Sequence, residues 1–211
     1  MRESGVPCTM LTGEERIYEE NSRVISSTVE MLDIDQVYDV AVIDEAQMIA
    51  DSDRGHSWTR GILGIQCPEI HICMSPAAQK VVTHLIELCG DTFEIRSYER
   101  KTELVCEEEP FDFPDDVRAG DVFTKRAVLD IAGRLERQGI RTSVIYGSLP
   151  PEIRRRQIRM FSAGETRVVV STDAIGMGLN LPVRRIVFVQ TEKFDGKETR
   201  PLKTEEIRQI A

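Results

Sequence analysis

The chain has 211 residues, of which 41% are hydrophobic and 30% are charged, a balance that is typical of a globular protein with one large domain or two small ones. No apolar run approaches the roughly 18 residues that a membrane-spanning helix needs. The sequence also has no signal-peptide pattern, so it predicts neither a membrane protein nor export.

Charge is distributed unevenly along the chain, whose net charge is −9. Residues 1–118 contain 10 Lys and Arg against 25 Asp and Glu, a balance of −15, whereas residues 119–211 contain 17 against 11, a balance of +6. The net charge alone would argue against a nucleic-acid partner. The basic second part restores that hypothesis and predicts two units with different surfaces.

The first part of the chain alternates β-branched runs with one clear helical segment. A helix is predicted over residues 77–89, where apolar side chains recur at three- and four-residue spacing before Gly90. Alternating residues at 92–98 have strand character, and the acidic, Pro-containing run 107–116 indicates a linker. Strands are predicted at residues 8–11, 24–27, 37–43 and 70–74.

The second part repeats this alternation. Gly139 and two prolines at 150 and 151 mark one helix end and one helix start. Strands are predicted at residues 121–124, 140–145, 167–171 and 185–190, and helices at 125–138, 150–162 and 203–211. Apolar strands alternating with helices predict an α/β fold with parallel sheets flanked by helices. We expect domains at residues 1–98 and 119–211, joined by a linker at 99–118.

Two acids follow the first of two informative strand ends, in VAVIDEAQMI at residues 40–49. We expect this strand to be buried on both faces, so that Asp44 and Glu45 emerge at its carboxyl end, where α/β sheets bind ligands. One carboxylate could hold Mg²⁺ and the other could activate water, with the Gln47 amide sensing a γ-phosphate. A solvated turn or a helix cap is the structural alternative.

The second strand end lies in VVVSTDAIGMGLNLP, residues 168–182. The hydroxyls of Ser171 and Thr172, with backbone N–H groups near Gly176, suit a phosphate oxygen. Asp173 could accept a hydrogen bond from a ribose hydroxyl or a neighbouring arginine. A purely structural helix cap explains the same pattern equally well.

Basic side chains and cysteines allow weaker inferences. Helix 150–162 carries four arginines, which form either a solvated face or a contact with a phosphate backbone. The five cysteines are odd in number and contain no Cys-x-x-Cys pair. Because most of them lie near apolar segments, the sequence predicts buried reduced thiols rather than a metal site.

Several segments together resemble one known family. VIDEAQ resembles motif II and VVVSTDAIGMGLNLPVRRIVF resembles motif V of superfamily 2 helicases. With VIYGSLPPEIRRRQ, GVPCTMLTGEE and SSTVEM, they resemble the mitochondrial degradosome RNA helicase family and its bacterial relatives, in that family's order. The resemblance implies two RecA-like domains, ATP bound between them, and RNA unwinding or translocation in RNA turnover. It also implies an exoribonuclease as a partner.

The resemblance assigns a role to each matching residue. Asp44 would coordinate Mg²⁺, Glu45 would activate the attacking water, and Gln47 would link the nucleotide state to the second domain. Asp173, Gly176 and Gln209 would lie on the nucleotide side, and Thr172 would contact an RNA phosphate. The other residues assigned to the RNA side are Thr12, Gly13, Glu14, Thr28, Glu30, Phe123 and Thr124.

The sequence departs from the family pattern in two places. No G-x-x-x-x-G-K-[ST] phosphate loop occurs, and we expect that loop to lie upstream of Met1. The arginines that follow Gln209 in the family's motif VI are also absent, so both domains are expected to be truncated. The match at residues 74–77, where motif III belongs, is loose.

Three alternatives follow from these departures. The first is a fragment of an ATP-dependent RNA helicase, the second is a non-catalytic RNA-binding module from a truncated reading frame, and the third is a superfamily 2 helicase that acts on DNA. A mitochondrial matrix location is possible for the family, although the chain starts too late to carry a presequence, and we expect a bacterial cytoplasmic source.

We predict that a polypeptide of these 211 residues has negligible ATPase activity. Charge that develops on the γ-phosphate would lack both the phosphate loop and the arginines, and loss of an arginine finger alone costs on the order of 10³–10⁵ in rate. Phosphate release should equal that of the Glu45→Gln variant, with or without RNA. RNA-stimulated hydrolysis above that control would refute the prediction.

Overall fold

The structure, a computed structural model, describes residues 5–99, 103–109, 111–112, 116–119, 121–124, 128–172, 175, 179, 181–194 and 198–211. The chain divides into two compact units, Met1–Glu99 and Arg100–Ala211. Among the described residues, no helix combines the length and the apolar character needed to cross a membrane.

The first unit contains five strands and two α-helices. They are β1 (Cys8–Leu11), β2 (Arg16–Ile17), β3 (Val24–Ser27), β4 (Val40–Ile43), α1 (Gly55–Gly64), β5 (Glu69–Ile72) and α2 (Gln79–Cys89). Short 3-10 helices lie at Val29–Met31, Ala46–Ala50 and Pro76–Ala78. As predicted, α2 ends at Gly90, whose φ of 78° is in the left-handed region that glycine tolerates.

Two small sheets organise this unit. β1 pairs antiparallel with β2 and parallel with β3, and β4 pairs parallel with β5. Packing joins the second sheet to both helices, because Ile43, Trp58, Ile62, Ala78 and Val82 form one buried cluster. The ends of β4 and β5 are therefore held on the same core as α1 and α2.

Helix α1 is absent from the sequence-based prediction, and glycines explain why. Glycine is a weak helix former, and α1 contains Gly55, Gly61 and Gly64. Two of them allow a close approach instead: a Cβ on Gly55 would lie 2.3 Å from the carbonyl oxygen of Ile49, and one on Gly64 would lie 3.2 Å from Ile34. Tertiary packing thus outweighs the local preference against a helix.

The second unit contains a four-stranded parallel sheet in the order β7-β8-β6-β9. Its elements are β6 (Asp121–Thr124), α3 (Val128–Arg137), β7 (Thr142–Ile145), α4 (Pro151–Ser162), β8 (Val168–Ser171), β9 (Arg185–Phe188), β10 (Glu192–Phe194), β11 (Thr199–Pro201) and α5 (Thr204–Ile210). The antiparallel pair β10–β11 was not predicted from the sequence.

Successive side chains of β8 point to opposite faces of this sheet, and a helix packs on each face. Val168 and Val170 pack with Ile131 and Leu135 of α3 on one face. Val169 packs with Ile145 and Phe161, the latter from α4, on the other. All four β8 residues are buried. The prediction of an α/β fold with apolar parallel strands flanked by helices is confirmed.

A buried ion pair holds the segment before β6 against the start of β9 within the second unit. Arg185 donates two hydrogen bonds to the Asp121 carboxylate, at 3.1 and 2.9 Å, and a third to the carbonyl oxygen of Asp116 at 2.6 Å. Its guanidinium also lies 5.0 Å from the centre of the Phe111 ring and pairs with Glu107 at 3.3 Å. Hydrogen bonds to Asp121 are the main reason why the pKa of Arg185 is raised.

Several expectations about exposure and local structure were wrong. β4 is not buried on both faces, because Val40 and Val42 are 55% and 67% exposed. Residues 92–98 form no strand among the residues that the structure describes. Four cysteines are not buried, since Cys8 is the only one of the five free thiols in the core; the others lie at loops and element ends that reach solvent.

We predict that Arg185→Gln destabilises the second unit by about 3 kcal/mol, because it leaves the buried Asp121 carboxylate without its charge partner. Amide hydrogens of β8 should then exchange on the order of 100-fold faster. Arg184→Gln, at the exposed neighbouring position, is the matched control. Equal exchange rates in the two variants would contradict a stabilising role for the ion pair.

Candidate functional site

A sharp turn follows β4 and carries the two predicted acids. Glu45 has φ 55° and ψ 37°, a left-handed conformation that non-glycine residues rarely adopt. Asp44 stabilises the turn by accepting the Glu45 N–H at 2.9 Å. The next residue, Ala46, is fully buried and donates its N–H to the carbonyl oxygen of Cys73 at 2.9 Å. The turn is therefore locked to the end of β5.

Gln47 links the acids to the segment after β5. Its side-chain nitrogen donates a hydrogen bond to Glu45 Oε2, and its side-chain oxygen accepts the Ser75 N–H at 3.1 Å. Ser75 lies in the segment that matches motif III only loosely. Gln47 thus holds the Glu45 carboxylate in one orientation within the first unit.

Trp58 of α1 stabilises the same turn through a hydrogen bond. Its indole Nε1–H donates to the carbonyl oxygen of Asp44 at 3.0 Å, and the residue is 5% exposed. The Arg54 guanidinium lies 5.5 Å from the ring centre and pairs with Glu30 at 2.8 Å. Neither Arg54 nor Trp58 was predicted as a site residue from the sequence, although Trp58 is the only tryptophan of the chain.

The turn offers too few carboxylates to enclose Mg²⁺ by itself, so a bound nucleotide would have to supply further oxygen ligands. Asp44 is an exposed carboxylate directly after the strand. Among the residues that the structure describes, no group of three His, Cys, Asp or Glu could enclose a metal. One carboxylate combined with waters and substrate phosphates is a common way for proteins to hold Mg²⁺, and Asp44 fits that role.

The predicted RNA residues of the first unit lie at one edge of the β2-β1-β3 sheet. Thr12 directly follows β1, and its hydroxyl accepts the Glu15 N–H at 2.8 Å in a tight turn whose tip, Gly13 and Glu14, is exposed. Thr28 follows β3 and donates its N–H to Leu11 at 3.0 Å. The two segments are therefore neighbours: the Thr12 hydroxyl stabilises its own turn, and the Thr28 N–H joins the end of β3 to the end of β1.

Two predicted residues of the second unit, Thr124 and Thr172, lie at the ends of neighbouring strands. Thr124 ends β6, which pairs with β8 so that Thr124 lies opposite Ser171, the residue before Thr172. Thr172 donates its N–H to Ile145 at 3.2 Å. Ser171 is fully buried, and its hydroxyl has no hydrogen-bond partner within the described part of the chain. Phe123 also lies on β6. Asp173 and Gly176 lie outside the described residues.

An open cavity of about 380 Å³ adjoins Thr172. Tyr146, Gly147 and Ser148, which follow β7, line it together with residues 128–130 at the start of α3. The Arg154 guanidinium fixes this loop by donating to the carbonyl oxygens of Gly147 and Leu149, at 2.7 and 3.2 Å. One of the four arginines of α4 is therefore engaged with the loop of its own unit.

Gln209 lies in the last turn of α5 and is half-buried. The start of this helix is fixed by Glu206, which pairs with Arg200 at 2.7 Å and accepts the Lys203 N–H at 2.8 Å. Ile210, the residue after Gln209, packs on the core of the second unit. This packing holds Gln209 on an ordered helix.

Comparison with known proteins agrees with this geometry. Residues 1–98 match the DEXQ-box helicase domain of Suv3, and residues 121–207 match the helicase conserved C-terminal domain. The chain belongs to the Suv3-type superfamily 2 helicases. It is 40% identical over 215 residues to the mitochondrial ATP-dependent RNA helicase SUV3 of Saccharomyces cerevisiae, covering 97% of this chain and 29% of that protein.

A second relative of this Suv3-type chain is the mitochondrial ATP-dependent RNA helicase SUV3 homolog of Caenorhabditis elegans. It is 44% identical over 195 residues, which cover 88% of this chain and 27% of the relative. The chain thus spans less than a third of either protein. A bacterial cytoplasmic source was the wrong expectation, because both relatives are named as mitochondrial proteins.

Solved structures show the same fold. A variant of S. cerevisiae Dbp5, bound to RNA and ADP BeF3, superposes with a TM-score of 0.67 at 14% identity, over 99% of this chain and 61% of that one. The expectation of RecA-like α/β architecture is therefore confirmed. At this identity the likeness concerns the fold alone.

We predict that protonation of Glu30 changes the fluorescence of Trp58. Burial raises the pKa of Glu30, but a backbone hydrogen bond and Arg54 together outweigh it, so the pKa lies below 4.5. A lowered pKa means that the Glu30–Arg54 contact persists above 4.5 and is lost as the pH falls through the lower value. Emission should change in that acid range in the wild type and not in Glu30→Gln. Identical titrations would contradict the contact.

Proposed function

We propose that this chain is part of an ATP-dependent RNA helicase that couples ATP hydrolysis to RNA unwinding or translocation in RNA turnover. The observation that carries the proposal is the locked turn after β4. It presents the exposed Asp44 carboxylate and an oriented Glu45 carboxylate side by side, in a chain of the Suv3 type. Phosphoryl transfer depends mainly on such positioning of charged groups.

We assign ATP and Mg²⁺ as the cofactors. Asp44 would hold Mg²⁺, which supplies charge neutralisation on the phosphates when bound. Glu45 would orient the attacking water and accept its proton. Gln47 holds that carboxylate and accepts the Ser75 N–H, and we propose that it reports the nucleotide state. Asp173, Gly176 and Gln209 are proposed for the nucleotide side of the second domain.

RNA is the proposed macromolecular ligand. In the first domain, at residues 1–98, its backbone would follow the edge formed by Thr12, Gly13, Glu14, Thr28 and Glu30. In the second domain, at residues 119–211, it would follow Phe123, Thr124 and Thr172. Contacts of this kind act mainly on phosphates and carry little sequence information. Residues 99–118 are proposed as the link between the domains.

The proposal extends to the cell biology of the protein. The names of the relatives support a mitochondrial location. Turnover of unwound RNA requires a nuclease, so an exoribonuclease is the proposed protein partner.

A non-catalytic RNA-binding module is the second candidate, supported by the balance of +6 in residues 119–211. The genomic DNA that flanks the coding region distinguishes the two. An in-frame Gly-Lys-Thr loop before residue 1 supports the helicase, and a stop codon there supports the module.

We predict that RNA competes more strongly than DNA for the chain. A labelled single-stranded RNA bound to the chain should be displaced by unlabelled RNA at lower concentration than by DNA of equal length at fixed salt, because the 2′-hydroxyl adds contacts. Thr172→Val should weaken RNA binding on the order of 10-fold, since a hydrogen bond to a charged group is lost.

Thr191→Val, at an exposed position of the same unit, is the control for this experiment and should bind RNA as the wild type does. Equal competition by DNA would favour the DNA-directed alternative. If the wild type binds neither polymer, the proposed function is wrong.

A further inference from the structure

The Arg54 side chain lies beside Glu30, which belongs to the predicted RNA-binding segment of the first unit. The residue lies directly before α1, and its Nε and Nη2 atoms donate to Glu30 Oε1 at 3.0 and 2.8 Å. Its side chain is 48% exposed. Its Nη1 atom has no hydrogen-bond partner among the described residues, so the guanidinium keeps donors that point to solvent.

Charge distinguishes Arg54 from Glu30 as an RNA-binding group. A carboxylate carries the same sign as a phosphate and repels it, whereas the planar guanidinium can donate two parallel hydrogen bonds to phosphate oxygens. Glu30 holds Arg54 in place through the ion pair and accepts from its Nε and Nη2 atoms, so Nη1 is the donor left for a phosphate. The resemblance assigned Glu30 to RNA, but the structure gives its side chain a supporting position.

Trp58 connects Arg54 to the turn after β4. The guanidinium lies over its ring, and a cation over an indole face contributes about 0.5–1 kcal/mol at an exposed site. Trp58 also belongs to the buried cluster that contains Ile43 and Ala46, and its Nε1–H donates to the Asp44 carbonyl oxygen. Three consecutive contacts thus join Glu30, Arg54, Trp58 and Asp44.

We propose that Arg54 binds an RNA phosphate and that Trp58 transmits this binding to the Asp44–Glu45 turn as a positioning residue. The proposal rests on the proposed RNA function and adds the phosphate-binding group and its connection to the acids. A phosphate that competes with Glu30 for Arg54 shifts the guanidinium on the indole ring. That shift acts on the one hydrogen bond that Trp58 donates to the turn.

Coupling of this kind is reciprocal. If RNA binding biases the conformation of the turn, then any ligand of the turn must change the affinity for RNA by the same factor. Trp58 makes the coupling observable, because it is the only tryptophan in the sequence and its emission reports the contact directly.

The experiment titrates an unlabelled single-stranded RNA oligonucleotide into the 211-residue chain at several salt concentrations. Two quantities are measured: the slope of log K against log[salt], and the change in Trp58 emission at saturation. Arg54→Gln should lower the magnitude of the slope by about 0.7, the contribution of one phosphate on a single strand. It should also abolish the change in emission.

Two further variants separate contact from coupling. Arg54→Lys keeps the charge but loses the planar fork, so we expect a wild-type slope with a smaller change in emission. Arg60→Gln is the matched control, because Arg60 lies on the same helix and donates to Leu32 at 3.0 Å. It should match the wild type in both quantities. Circular dichroism checks that each variant is folded.

The outcomes separate this inference from the proposed function. A wild-type slope and a wild-type emission change in folded Arg54→Gln would overturn the inference and leave RNA binding intact. A slope that falls as far in Arg54→Lys as in Arg54→Gln would overturn the phosphate contact. If the wild type binds no RNA at all, the proposed function fails, and the inference fails with it.

Discussion

The left-handed turn at Glu45 is the constraint on which the first unit depends. A non-glycine residue in this region costs roughly 1–2 kcal/mol, so surrounding contacts must hold it there. Backbone bonds join Ala46 to Cys73 and Cys73 to Ile43, and Trp58 holds the Asp44 carbonyl. Strain of this kind is common at functional sites. Here it turns the chain so abruptly that adjacent acids leave the strand end together.

Sequence alone could predict those features that local patterns encode. β8 was predictable because its four residues are buried on both faces and a parallel strand of this kind is continuously apolar. Gly90 was predictable as a helix end because the left-handed cap needs glycine. The two acids were predictable because they interrupt an apolar run. Each of these signals lies within a few consecutive residues.

The features that could not be predicted from the sequence depend on contacts between residues that are distant along the chain. Helix α1 forms because its glycines admit Ile49 and Ile34, and no local propensity reports that. The Glu30–Arg54 pair spans 24 residues and the Trp58–Asp44 bond spans 14, so neither has a periodic signature. The exposure of Val40 and Val42 also escaped prediction, because an apolar run does not reveal how many of its faces are covered.

The arrangement around Arg54 bears on how an acidic region could bind a polyanion. Residues 1–118 carry a balance of −15, which on its own repels RNA. Salt screens charges beyond about 8 Å at physiological ionic strength, so acids far from the bound strand contribute little. What matters is the sign of the charge within that distance of each phosphate. Arg54 and Glu30 cancel within that distance because they pair at 2.8 Å. The proposed phosphate contact therefore depends on displacement of the Glu30 carboxylate and on the directional N–H donors of the guanidinium, and not on a positive net charge of the first unit.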